Sequence, residues 1–367
     1  MSNDMNSTRL RRLCWFAKPL LVAASMAASC AAASMPAQPV GDVAQEILFT
    51  SMRDGMMQIY GMRDDGSGEH RLTRTDSSEL QPVWSPDGAR VAYISYRSGQ
   101  GDIYVMNADG GMQTRLTDMP GLEQQPRWSP DGSRIAFMAD QNGPGGIFVM
   151  AADGSGRRAL TPADMDAADP AWSPDGKRIA FIQGQGKSAR IMLVELENGA
   201  IRPLTRDGKN ERNPVWSPDG RQVMYLAPGG RTEGVNIKLA SVDSGEVVSL
   251  TQNQYINSQA SFSPDGSRVV YLSNADTQGG AMNLHTINRD GSGAKNLTHS
   301  EVQDLAPVWS GDGSHIYFMS FKDWPGQIYR INPDGTGRQR LTTTQAQESY
   351  PVARPSATQQ ALVGQSK

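Results

Sequence analysis

Cysteine is nearly absent from this 367-residue chain: only Cys14 and Cys30 occur, both near its start. The rest of the chain therefore folds without a disulfide and offers no reactive thiol. Histidine is scarce as well. His70, His285, His299 and His315 stand far apart, and no two have metal-ligand spacing. No Gly-x-Ser-x-Gly elbow occurs, so the usual sign of an α/β-hydrolase nucleophile is missing. A basic excess is lacking too. The formal net charge is −3, and beyond residue 29 the chain carries 31 basic against 37 acidic residues. That balance supplies no basic face for nucleic acid. Past Ala33 no apolar run approaches the roughly 20 residues that a membrane-spanning helix needs.

The first residues read as an export signal. Arg9, Arg11, Arg12 and Lys18 precede an apolar and small-residue run, Pro19 to Ala33, in the order of a secretory leader. We assign 1–34 to a signal peptide. Ala27-Ala28-Ser29 before Cys30 resembles a bacterial lipobox, which would make Cys30 a lipidated N-terminus. The other reading makes Cys30 incidental to a cleavage region at Ala31-Ala32-Ala33. Residues 35–46 are small, polar and Pro-containing, a tether. Residues 357–367 form a C-terminal tail.

What the sequence does have is glycine, 38 residues of it, and 22 prolines, arranged periodically. Pro82-Val83-Trp84-Ser85-Pro86-Asp87-Gly88 returns at Pro126, Pro170 and Pro214 with Trp-Ser-Pro-Asp-Gly intact. Looser copies follow at Ala260 to Gly266 and Pro307 to Gly313, and a stripped copy at Pro351 to Pro355. The Trp position runs 84, 128, 172, 216, 262, 309, 353, with steps of 44, 44, 44, 46, 47 and 44. A repeat of this length, filled with short strand-like runs, is the mark of a β-propeller blade.

Each unit has four β-rich runs separated by Gly, Asp and Pro turns, as in Pro82–Ser85, Val91–Ile94, Asp102–Met106 and Thr114–Thr117. The second run occurs seven times, from Ile47 to Ile316, and so does the third, from Ile59 to Ile328. The first unit lacks its Trp-type strand, while the chain ends on an orphan one, Tyr350 to Pro355. Joining the two removes both free edges. The expected fold is all-β: a seven-bladed β-propeller of four-stranded antiparallel blades over 47–356, closed by pairing of N- and C-terminal strands. Six blades is the fallback should the terminal units not pair. The Trp of each unit is expected to fill the gap between neighbouring sheets. Tyr60, Tyr93, Tyr104, Phe137, Phe181, Tyr225, Tyr271 and Phe318 recur at equivalent strand places and are expected in the core. The Asp-Gly-Ser-Gly runs at Asp65, Asp153 and Asp290 read as hairpin turns.

Trp-Ser-Pro-Asp-Gly, followed by Arg-Ile-Ala-Phe, Ile-Tyr-Val-Met, Asp-Gly-Ser-Gly and Arg-Leu-Thr, resembles the WD40-like PD40 repeat of TolB-type propellers. The resemblance covers nearly all of the chain beyond its leader. It implies a periplasmic monomer, outer-membrane-anchored if Cys30 is lipidated. It further implies a binding module whose partner is an envelope protein or peptide, such as a peptidoglycan-associated lipoprotein, with no cofactor and no enzymatic activity. Two features depart from TolB: no α/β domain fits before the repeats, and there are seven repeats where six are expected. The same repeat also occurs in peptidase-linked propellers and sugar-acid lyases, so a carbohydrate-processing or hydrolytic enzyme with its site at the channel is the alternative.

One pattern exceeds the repeat consensus. Three residues before the motif Pro stand Glu79, Glu123, Ala167, Glu211, Asn257, Asp304 and Glu348. Equivalent positions share one radius and one end of a propeller, so these five acids are expected to ring a mouth of the central channel. Such a ring would take a cation, Ca²⁺ being suitably hard, or a basic peptide segment. The other reading has each carboxylate capping its own turn or meeting a local Arg.

Overall fold

The computed structural model describes residues 47–206, 208–229 and 234–356. The proposed leader, Cys30, the tether and the C-terminal tail lie outside the described residues. Seven antiparallel sheets of four strands each form seven blades. The first blade takes its innermost strand, Glu348–Ala353, from the C-terminal end and its other three, Ile47–Asp54, Met56–Met62 and His70–Arg71, from the N-terminal end. Ile47 pairs with Ala353 and Ser51 with Glu348, so the ring closes as expected. Blade 2 runs Glu79–Trp84, Arg90–Ser95, Asp102–Asn107 and Thr114–Arg115. The innermost strands of blades 3 to 7 are Glu123–Trp128, Ala167–Trp172, Arg212–Trp216, Asn257–Phe262 and Asp304–Trp309.

The local chemistry of the repeat explains why it stops and turns where it does. Ser85 Oγ donates to Asp87 Oδ1 at 2.5 Å, Asp87 Oδ1 accepts the Ala89 N–H at 3.0 Å, and Ser85 Oγ accepts the Arg90 N–H at 2.9 Å. Gly88 sits at φ 66°, where a Cβ is disfavoured. The Asp-Gly-Ser-Gly runs are turns as well: Asp65, Asp153 and Asp290 each accept the N–H two residues on, at 2.9 Å. Side chains alternate across each strand, so both faces of every inner blade are apolar and pack on a neighbour. The core is therefore seven wedges between blades. In one, Leu48 and Ile59 of blade 1 meet Trp84, Val91 and Tyr93 of blade 2. All eight expected core aromatics are buried.

The motif proline has a role that the sequence reading did not assign. In each innermost strand the register slips by one residue, as between Leu80 and Val83 opposite Ile94 and Ala92. Gln81 and Pro82 together face one partner residue, a β-bulge that bends the strand. The residue before the proline position is left-handed in all seven blades: Gln81, Gln125, Asp169, Asn213, Gln259, Ala306 and Tyr350, with φ between 48° and 57°. None is glycine, so each carries backbone strain. Ala306 has no polar group to offset it. Ala306→Asn is expected to stabilise the fold by roughly 0.5–1 kcal/mol, because Asn tolerates this region. Thermal unfolding checks it; a lowered midpoint would contradict the strain assignment.

Candidate functional site

The innermost strands line the central channel, and the bulge residues link one strand to the next. Gln81 Oε1 accepts the Gln125 N–H at 3.2 Å, Gln125 Oε1 the Asp169 N–H at 2.8 Å, and Gln259 Oε1 the Ala306 N–H at 2.6 Å. The Asp169 carboxylate takes the Asn213 N–H and a bond from Gln125 Nε2. Among the described residues no such bond joins Asn213 to Gln259, and none continues from Ala306 or Tyr350. Burial raises the Asp169 pKa and the nearby Arg127 guanidinium opposes the rise; burial also lowers the pKa values of Arg127 and Arg212 on these strands. The channel wall is thus polar and of mixed charge.

The five acids Glu79, Glu123, Glu211, Asp304 and Glu348 do sit at one end of the innermost strands. Their side chains, however, are buried, none more than 5% exposed, and four of them meet local donors. Glu79 accepts from Thr75 Oγ1 at 2.6 Å and Ser95 Oγ at 3.1 Å, with Arg97 at 3.4 Å. Glu348 accepts from Thr344 Oγ1 at 2.5 Å, Ser51 Oγ at 3.1 Å and Arg53 at 2.8 Å. Asp304 meets Arg338 at 3.4 Å, and Glu211 takes the Ile191 N–H at 3.0 Å and the Thr205 hydroxyl. Burial raises the pKa of Glu79, Asp304 and Glu348, against the pull of these donors. This is the local-capping arrangement: Glu79 and Glu348 tie the link entering their blade to its second strand, and Glu211 bonds back to the third strand of the preceding blade. Glu123 differs: neither of its oxygens has a partner at hydrogen-bond geometry.

The histidines occupy separate elements. His285 is buried against Tyr271 with ring centres 5.4 Å apart and has Asp276 at 3.6 Å; burial lowers its pKa. Among the described residues no three His, Cys, Asp or Glu side chains are grouped to hold a metal ion.

A surface feature was not foreseen. The hairpins joining second to third strands, and the links entering each new blade, share the face on which the acids lie. Exposed there are Trp324, 81% open, with Met52, Met56, Ile256 and Val302, while Tyr350 is exposed on its innermost strand. Trp324 leans on Phe321, ring centres 5.7 Å apart. A shallow groove of about 450 Å³ lies beside them, lined by Met52, Arg53, Pro325 and residues 344–347. Five of these six residues belong to hairpins, links or strand ends outside the repeat motif, which is why periodicity did not reveal them. A tryptophan outside the repeat motif, inside a hairpin, was the available signal.

The family model described as the TolB beta propeller domain matches residues 77–235 and 230–367. The chain is 45% identical over 47 residues to the Tol-Pal system protein TolB of Desulfosudis oleivorans, a stretch spanning 13% of this chain and only 11% of that protein. TolB from Acinetobacter baumannii superposes with a TM-score of 0.56 at 20% identity, over 86% of this chain and 68% of that one. An oligogalacturonate lyase in complex with manganese superposes with a TM-score of 0.63 at 14% identity, over 86% and 99%. At such identities the two likenesses show the fold alone. The family match covers well over half of the chain, spanning blades 2 to 7 and the closing strand of blade 1: the chain belongs to the TolB β-propeller family.

Proposed function

We propose that this propeller is a protein-binding module of the bacterial cell envelope, taking a partner segment on the face that carries Trp324. The observation behind it is the group of exposed apolar side chains there. Large hydrophobic residues exposed on one face, an aromatic among them, are the composition of a binding hot spot. Six of the nine exposed large hydrophobics of the described chain, Met52, Met56, Ile256, Val302, Trp324 and Tyr350, lie on this face or open toward the channel. A rigid ring suits the task, since little ordering is required on binding. Envelope placement rests on the leader-like N-terminus and on TolB kinship. The alternative, a carbohydrate-processing or hydrolytic enzyme, draws on fold likeness, and fold does not carry function.

The test is site-specific photo-cross-linking of tagged full-length protein in cells, with the reactive group at position 324 or at position 112 on the opposite face. A discrete adduct at 324, absent at 112 and reduced at least about tenfold by Met56→Ser, is expected for a hot spot. Adducts equal at both positions, or none at 324, would sink the proposal.

A further inference from the structure

The seven blades carry their own controls, and one junction breaks the pattern. A residue near the start of the third strand of a blade, just before the repeat's Ile or Leu, faces the acid position of the next. At four junctions it is an amide, Gln58, Asn236, Asn283 or Gln327, which donates to a carbonyl of the connecting link at 2.7–3.3 Å. In blade 2 it is Asp102, fully buried beside the fully buried Glu123, whose backbone N–H donates to the adjoining Gly101 carbonyl at 2.8 Å. Gln100 takes over the amide's bond, donating to Met119 O at 2.7 Å.

Glu123 also lacks the donors its counterparts have. Ser51 and Ser95, which serve Glu348 and Glu79, are replaced across the ladder by Ala139. The arginine two residues on, Arg53 or Arg97, is replaced by Gln141. Neither Glu123 oxygen has a partner at hydrogen-bond geometry, although the Thr117 hydroxyl lies beside the carboxylate. The cation of this junction, Arg115, binds Asp102 Oδ1 instead, at 2.9 Å, and Asp102 Oδ2 takes the Ser98 hydroxyl. The other charged groups around the junction are Arg157, which pairs with Asp118 at 3.2 Å, and Asp140, which accepts the Leu122 N–H at 3.0 Å.

Two dry carboxylates with one guanidinium between them leave an uncompensated negative charge, which a protein interior does not sustain. We propose that Glu123 is protonated and donates its O–H to Asp102, making the seam between blades 2 and 3 a latch that opens as the proton is lost to solvent. Arg115, Asp102 and a neutral Glu123 then sum to zero charge. Burial and the Asp102 carboxylate both push the Glu123 pKa up, to about 8. The proton is therefore held more tightly in the folded chain than in the unfolded one. This contribution to stability is complete at acid pH and is lost as pH rises through the folded-state value.

The experiment is the unfolding midpoint of the full chain against pH, for the wild type, Glu123→Gln and Asp102→Asn. Gln at 123 keeps a donor toward Asp102 at every pH. Asn at 102 restores the amide used at other junctions, and keeps the test open should Glu123→Gln not fold. The wild type is expected to lose on the order of 5 °C more than either variant between pH 6 and pH 9. A protonated-carboxyl infrared band at neutral pH is expected in the wild type and not in Glu123→Gln. Parallel pH curves for all three proteins would overturn the proposal. So would a wild-type midpoint raised by Ca²⁺ or Mn²⁺ and unmoved in Glu123→Gln, which would make the pair a cation site.

Discussion

A chain ending at Gln347 is expected to lose cooperative unfolding and to aggregate, although it lacks only the last described strand. Residues 348–353 form the innermost strand of blade 1, and the other three strands of that sheet come from the opposite end of the chain. Without them, Ile47–Asp54 becomes a free edge beside an opened channel, a template for pairing with another chain. Arg53 loses its 2.8 Å partner Glu348, and Trp84 loses both Val352 and the Arg354 guanidinium stacked 5.4 Å from its ring. Blade 7, on the other face of this strand, is stripped too, because Ala353 packs in the wedge with Tyr317 and Ile328. The summed loss is comparable to the whole stability of a domain, about 5–15 kcal/mol. Circular dichroism melts and size exclusion decide it. A single sharp transition within a few degrees of the full chain would mean that six blades and a remnant suffice.

How far the sequence speaks depends on whether a residue acts within its own repeat. The turn at Ser85, Asp87 and Gly88 is legible because all its partners lie within five residues, and it recurs until the period counts the blades. Closure was legible from strand inventory, since Tyr350 to Pro355 had no unit of its own and Ile47 had no inner neighbour. The left-handed bulge was not. Gln, Asp, Asn, Ala and Tyr occupy it, and no composition rule marks such a mixture as strained. The acids were legible as a ring, but their burial was not. Their donors, such as Thr75 and Arg97 for Glu79, come from loops on either side of the strand, and only the folded blade brings them within reach. Asp102 and Glu123 stand 21 residues apart in different units, so their confrontation needed the register of both sheets.

The repeat tryptophan gives the other large effect, and a way of dividing it. Trp128, Trp172, Trp216 and Trp309 are buried, and each donates its indole N–H to a carbonyl of the preceding blade: Val83, Arg127, Ala171 and Ser261, at 3.0–3.4 Å. On each ring lies an arginine of that same preceding blade, as with Arg134 over Trp172 at 4.9 Å. One side chain thus fills the wedge, bonds across it and seats a cation. Trp172→Ala is expected to cost about 3–5 kcal/mol, most of it for lost packing. Trp172→Phe keeps much of the volume, as Phe262 does in blade 6, and is expected to cost about 1–3 kcal/mol by leaving the Arg127 carbonyl unpaired. Trp84 is the internal control. Its indole nitrogen has no acceptor across the closing seam, so Trp84→Phe removes an unsatisfied donor and is expected to be the milder change of the two. Urea unfolding of the three variants measures the series. If both phenylalanine variants lose the same stability, the indole bond contributes nothing and the tryptophan acts by volume alone.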